Sequence, residues 1–152
     1  MARSGITVKI EGFEELFNQI EKVGGSMNKA ADSCIRKSAQ IMQEELKAQM
    51  YNANVPDDLI NGMPPPKIEV EGNLYSASIG YEKGVYNPRD LTDSYKVIFL
   101  NYGTPKRKEH GKVKDRGFIR KAKNKARAQI KKEQQKTLEK ILGRLKLKLN
   151  RN

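Results

Sequence analysis

The feature that most constrains this fold is an uninterrupted helical pattern near the end of the chain, from Phe118 to about Leu149. A helix of this length spans about 45 Å, which exceeds the diameter of a small domain. We therefore expect one end of the helix to project. Its leucines would then either contact another subunit or lie in fraying turns that lysines keep soluble. Small and apolar residues at three-to-four spacing mark one face of the helix: Ala122, Ala126, Ile130, Thr137, Ile141, Leu145 and Leu149.

Charge is distributed unevenly along the 152 residues. Residues 104–152 contain 19 Lys and Arg against four Asp and Glu, whereas residues 1–103 contain 11 basic and 14 acidic groups. This asymmetry favours an acidic partner for the C-terminal third: nucleic acid, an acidic protein face, or the N-terminal part of a neighbouring copy. The alternative is that the lysines of a long exposed helix serve solubility alone.

The rest of the chain predicts short strands and amphipathic helices. Ile6, Val8 and Ile10 alternate as in a strand with one buried face. Helical spacing follows from Phe13 to Val23 and, after a Ser26 cap, from Met27 to about Tyr51. No pattern is visible from Asn52 to Pro66, where Pro64-Pro65-Pro66 favours a stiff extended spacer over a ligand for aromatic grooves. Two further strands follow, at Lys67–Glu71 and Leu74–Tyr81, around a Gly72-Asn73 turn.

The apolar run within Ser94–Leu100 reads as a central strand buried on both faces, covered on at least one side by the Met27–Met50 helix. The order of elements then predicts a single α+β domain over residues 1–152. In it, a small, mainly antiparallel sheet is packed by helices and followed by the long C-terminal helix.

Tyr102-Gly103-Thr104 ends the apolar run, a basic loop follows, and Gly117-Phe118-Ile119-Arg120-Lys121-Ala122 opens the long helix. This order resembles a family of small tailed-bacteriophage proteins of the head–tail junction, known as minor tail, tail-completion or head–tail joining proteins. Members share an aromatic-Gly-Thr element at the end of a strand and a Phe-Ile/Leu-Arg-Pro-Ala helix start. The chain departs from that pattern at Gly117 and Lys121, where proline is common.

The resemblance implies a structural role in a phage or prophage. Such proteins assemble as a ring in the neck or at the top of the tail, on the path of the DNA, and contact neighbouring neck or tail proteins. The implied location is the virion, and the host cytoplasm during assembly. The residues that carry the resemblance form the candidate structural motif: Tyr102, Gly103, Thr104, Phe118, Ile119 and Ala122.

Groups that could support catalysis do not converge in the sequence. His110 is the sole histidine and lies in a charged loop. One histidine supplies too few ligands for a histidine metal site. Cys34, the sole cysteine, lies on a helical pattern and is expected to be buried. Adjacent carboxylates at Glu14-Glu15, Glu44-Glu45 and Asp57-Asp58 point apart on helices, and Gly24-Gly25 lacks the Lys-Ser/Thr of a phosphate loop. We expect no enzyme activity, no cofactor and no metal.

Membrane insertion and secretion are not expected. No apolar run approaches the roughly 20 residues that span a membrane. The N-terminal residues lead directly into the strand-like ITVKI rather than into an apolar signal core.

Basic residues before and within the long helix form the candidate surface for a protein partner or DNA: Lys106, Arg107, Lys108, Arg120, Lys123, Arg127 and Lys131. Positive charge suffices for phosphate contacts without sequence readout. Only Phe118 could stack on bases, and we expect it in the core. The alternative to the phage role is therefore a cytoplasmic protein that binds nucleic acid non-specifically through this helix. The loop at 104–116 is expected to be mobile or extended because Val113 is its one apolar residue.

Overall fold

The computed structural model describes residues 4–82, 89–107 and 111–151. The described part is an α+β domain, as the sequence predicted. Its elements, in chain order, are β1 (Gly5–Lys9), α1 (Glu14–Lys22), α2 (Met27–Asn52), α3 (Asp57–Asn61), β2 (Lys67–Glu71), β3 (Leu74–Gly80), α4 (Asp93–Tyr102), β4 (Thr104–Arg107), β5 (Gly111–Val113) and α5 (Phe118–Arg151).

The three-stranded sheet is antiparallel, in the order β1-β3-β2. In the register, Ile6 lies opposite Ile79, and Ala77 lies between Val8 and Ile68. These residues point to the side on which α2 packs, whereas Thr7, Ser78 and Glu69 lie on the opposite, exposed face. The predicted alternation in β1 and around the Gly72-Asn73 turn is confirmed.

Helices α1 and α2 begin and end close to their predicted limits. Ser26 caps α2, because its hydroxyl oxygen accepts a hydrogen bond from the Lys29 N–H at 3.2 Å. A Cβ at Gly25 would overlap the side chains of Ile20 and Leu145. The turn between the two helices therefore needs a glycine so that α5 can lie against it.

The predicted central strand is wrong, because Asp93–Tyr102 forms helix α4. Four consecutive apolar residues fit a buried strand and a helix equally well. The deciding residues are Ser94, Val97 and Asn101, which lie on one helical face and are all buried. Two of them are polar, so an apolar pattern could not reveal this face. Phe99 and Leu100 are only half-buried, and α2 covers β1 and β3 instead of a strand at this position.

Two further elements were not predicted. The patternless segment contains α3, whose Leu59 and Ile60 are buried. The segment expected to be a loop contains β4 and β5, which pair as a separate two-stranded antiparallel sheet. Residues 108–110, at the turn between these strands, lie outside the described residues.

Helix α5 runs antiparallel to α2 along nearly all of α2. Just before α5 begins, the Arg116 guanidinium donates to the Ala53 carbonyl, which follows the end of α2. In the middle of α5, the Gln134 carbonyl lies 3.9 Å from the Cys34 sulfur of α2. Near its C-terminal end, Leu145 meets Gly25. Because α2 matches this length, only the residues after Leu145 extend beyond the helix pair. The predicted projection is therefore confined to the last two turns of α5.

The apolar side chains form two clusters. The main cluster lies between the sheet, α2 and residues 118–130 of α5, and includes Ile79, Leu46 and Phe118. The smaller cluster joins α1, the start of α2 and the end of α5: Phe13, Ile20, Ala30, Cys34, Leu138 and Leu142. Gln134 lies between them, and its side-chain amide donates to the Lys9 carbonyl at 3.2 Å and to the Ser38 hydroxyl at 3.0 Å.

Candidate interface on the C-terminal helix

Asn101 joins the two halves of the motif that resembles the phage family. Its side-chain oxygen accepts a hydrogen bond from the Ile119 N–H at 2.9 Å. Its backbone carbonyl accepts from the N–H groups of Gly117 at 3.0 Å and Arg116 at 3.2 Å. One residue at the end of α4 thus accepts hydrogen bonds from three backbone N–H groups, which lie just before α5 and in its first turn. Sequence reasoning missed Asn101, because a polar residue on a buried helical face leaves no apolar pattern in the sequence.

Arg116 fixes the same junction to α2. Its guanidinium donates to the carbonyls of Ala53 and Asn54, both at 3.1 Å. These carbonyls follow the last turn of α2, where the helix leaves acceptors unpaired and a positive charge is favourable. The ends of α2 and α4 and the start of α5 are therefore held together by Asn101 and Arg116.

The motif residues have distinct positions at this junction. Phe118, Ile119 and Ala122 are buried in the main cluster. Tyr102 is 49% exposed at the end of α4, and Gly103 follows that helix with a φ of 79°. The aromatic-Gly-Thr element therefore follows a helix, and not the strand that the resemblance implied. Thr104 begins β4.

The departures from the family pattern have backbone reasons. Gly117 has a φ of 59°, whereas proline is fixed near −65°. Lys121 donates its backbone N–H to the Gly117 carbonyl at 3.2 Å, a bond that proline could not make. Proline at either position would require a different start of α5.

Arg120, Lys123, Arg127 and Lys131 form one row along α5, and all four side chains are exposed. At about 100° per residue, they fall within about 80° of one another around the helix. We call these four residues the basic row. Of the other basic residues predicted for this surface, Lys106 and Arg107 lie in β4, and Lys108 lies outside the described residues.

The basic row ends at Lys131 because the buried face winds around α5. The buried residues follow every fourth position: Phe118, Ala122, Ala126, Ile130, Gln134, Leu138 and Leu142. Each four-residue step advances the buried face by about 40°. By Leu138, it has reached the direction in which the basic row points. The expectation that one fixed face is buried along α5 therefore holds only locally.

A second set of lysines, Lys121, Lys125, Lys132 and Lys136, lies on the opposite flank of the exposed surface. Lys125 pairs with Glu45 of α2 at 3.6 Å, and it is the one α5 side chain with a carboxylate within ion-pair distance in the described part of the chain. Residues 118–151 hold 13 Lys and Arg against two Glu, so α5 presents a nearly uncompensated positive surface.

Groups suited to chemistry remain apart in the described residues. The Cys34 thiol is buried, and burial raises its pKa to about 12 against a smaller opposing effect of Lys37. Glu14 and Glu15 are exposed on α1, and His110 lies outside the described residues. Within 4–82, 89–107 and 111–151, no three His, Cys, Asp or Glu side chains are grouped as metal ligands. In the same ranges, no helix is both long and apolar enough to cross a membrane.

Comparison of the chain with models of known protein families, with curated proteins and with solved structures gives no match.

Proposed function

We propose that this protein is a structural component of the head–tail junction of a tailed phage or prophage, where it assembles as an oligomeric ring in the neck or at the top of the tail. It acts without catalysis or cofactor. Its partners are further copies of itself and the neighbouring neck or tail proteins. It resides in the virion, after assembly in the host cytoplasm.

The observation that carries this proposal is that the two halves of the motif, which are apart in the sequence, lie next to each other in the fold. Tyr102-Gly103 and Gly117-Phe118-Ile119 are separated by 13 residues in the sequence, and the hydrogen bonds of Asn101 bring them to one junction. A chance match of two short motifs would not require them to meet.

The basic row supplies the contact surface in this proposal. Four cations held on a rigid helix suit either an acidic face of a neighbouring protein or the DNA that passes through the ring. Binding to DNA alone would be non-specific in this proposal, because contacts to phosphates need only positive charge and carry no sequence information.

The second candidate is a cytoplasmic protein that binds nucleic acid non-specifically through α5. The observation that favours it is the exposure of Arg120, Lys123, Arg127 and Lys131, none of which has a carboxylate within ion-pair distance among the described residues. If all four contact phosphates, the logarithm of the duplex affinity falls with the logarithm of salt concentration with a slope of about −3.6.

Charge reversal at two positions of the basic row separates the candidates. Arg120→Glu with Arg127→Glu should leave the fold intact and yield heads and tails that fail to join, or tails that fail to mature, in a phage dependent on this gene. The matched control, Lys132→Glu with Lys136→Glu, makes the same change in net charge on the other flank of α5. We expect this control to support a normal yield of virions.

The contrary outcomes are distinct. A normal virion yield from Arg120→Glu with Arg127→Glu would mean that the basic row makes no required contact at the junction. Tight duplex binding by the wild type at physiological salt, abolished by that pair and retained by the control pair, would favour the nucleic-acid-binding candidate.

A further inference from the structure

Strand β2 presents an open edge. In the order β1-β3-β2, it pairs with β3 only, and within the described residues no strand lies on its other side. The other outer strand, β1, is partly engaged, because the Lys9 carbonyl accepts a hydrogen bond from Gln134. An unpaired strand edge is a template for pairing with another chain.

The free backbone groups of this edge belong to Ile68 and Val70. The β2–β3 turn has two residues, so the pair that flanks it, Glu71 and Leu74, is hydrogen-bonded, and the ladder alternates from there. Lys67, Glu69 and Glu71 therefore direct their N–H and C=O groups towards β3. Ile68 and Val70 direct theirs outwards.

The inner side of this edge is apolar and incompletely covered. Val70 points to the same side as Ile68 and Ala77, towards the helices, yet it is 54% exposed. Tyr75, which lies opposite Val70 on β3, is likewise only half-buried. The helical layer thus ends before the sheet does.

The sequence of β2, Lys-Ile-Glu-Val-Glu, is self-complementary when two copies run antiparallel about Glu69. Ile68 then lies opposite Val70 of the second copy, and the symmetric pair repeats this contact. Each pair forms two backbone hydrogen bonds, four in all, and the apolar row continues from one sheet into the other. On the outer face, Lys67 lies opposite Glu71 of the second copy, and the reverse pair repeats the contact. The single like-charged pair is Glu69 with its own equivalent, each beside a Lys67 at 4.0 Å within its own strand.

We propose that β2 pairs with β2 of a second copy in this register, joining the two sheets across a two-fold axis. Five residues a side form an interface below the about 1,200 Å² of stable complexes, so the dimer is weak and depends on protein concentration. A contact with two-fold symmetry is complete once two copies have paired and cannot build a larger ring. The ring of the proposed function would therefore use other surfaces. Loss of this dimer would leave that proposal intact.

Charge exchange tests the register on the full chain by sedimentation at several protein concentrations. Lys67→Glu and Glu71→Lys should each raise the dissociation constant by about tenfold or more, because two symmetric pairs change from attraction to repulsion. The double variant restores opposite charges and should return dimerisation to near the wild-type level. Glu69→Gln removes the like-charged pair and should tighten the dimer.

Matched controls make the same charge changes away from β2: Lys9→Glu on the other outer strand, and Glu11→Lys just after it. Both should leave the dissociation constant unchanged. In hydrogen exchange, the amides of Ile68 and Val70 should gain protection as protein concentration rises, whereas those of Lys67, Glu69 and Glu71 should be protected throughout.

Three results would overturn the proposal. The first is a monomer at all concentrations. The second is association that the single variants at Lys67 and Glu71 leave unchanged, or that the double variant does not restore. The third is association lost in Lys9→Glu, which would assign the contact to β1.

Discussion

The two halves of α5 are held by different means. Residues 118–130 contribute Phe118, two isoleucines and two alanines to a cluster that includes the sheet and most of α2. Residues 138–142 contribute two leucines to a cluster of six buried residues on α1, α2 and α5, with no strand. Burial of apolar surface scales with the number of such contacts. The first half should therefore be the more stable part of the helix, and the second half should open first.

The largest expected effect is the loss of Phe118, which is fully buried at the start of α5. We expect Phe118→Ala to lower the free energy of unfolding by about 3–5 kcal/mol, measured by denaturant titration. Phe99→Ala is the matched control, because Phe99 is half-buried on α4. Phe118 belongs to the main cluster, whereas Phe99 lies outside it. Equal losses of unfolding free energy from the two variants would contradict this assignment.

Leu138 provides the corresponding test of the smaller cluster, because it is fully buried there. Leu138→Ala should cost about 2–5 kcal/mol, towards the lower end because its neighbours on α1 can collapse into the space. Hydrogen exchange should show faster opening of α1 and of the end of α5, with β3 unaffected. Uniformly faster exchange over the whole chain would mean that the two clusters unfold as one unit.

Alkaline pH should act on the smaller cluster through Cys34. Its pKa is 9.0 in the unfolded reference and about 12 in the fold, so the unfolded chain loses the proton first. The contribution of this thiol to stability is then unchanged below pH 9 and falls by about 1.4 kcal/mol per pH unit between the two values. Burial also raises the pKa of Tyr81, which adds an effect of the same sign. Cys34→Ala should show a shallower fall above pH 9, and an identical slope would refute a buried thiol.

Asn101 should give the smallest effect, confined to the start of α5. Asn101→Ala leaves the Ile119 N–H buried without its side-chain acceptor and should cost about 1–2 kcal/mol of unfolding free energy. Asn124→Ala, an exposed change on the same helix, should stay within about 0.5 kcal/mol. If the two variants unfold alike, the bond between α4 and α5 does not contribute to stability.

The elements that could be predicted from sequence are those whose buried face is apolar. Ile6 and Val8 alternate, and Ser26 has the chemistry of a helix cap, so β1 and the start of α2 follow from local rules. Helix α4 was mistaken for a strand because Ser94 and Asn101 form part of its buried face. Their burial is made possible by distant partners, the Ser4 hydroxyl and the Ile119 N–H, and no local pattern contains that information.

The arrangement of the basic row on α5 was predicted in part, whereas its role as an interface stays a prediction. The spacing of Arg120, Lys123, Arg127 and Lys131 was enough to place them on one face, and all four are exposed. The end of the row could not be predicted, because it depends on how the buried face winds as α5 passes from one cluster to the other. The length of α5 suggested a large projection. The antiparallel match with α2 limits the projection to the residues after Leu145.

The location of the protein in purified particles tests the central claim most directly. The chain, tagged at a surface position and expressed from its own element, should co-purify with intact virions and be visible by immuno-electron microscopy at the junction of head and tail. It should resist removal by salt, because assembly fixes it between protein surfaces. Absence of the protein from purified virions, with the same protein abundant in the lysate, would contradict the proposed function.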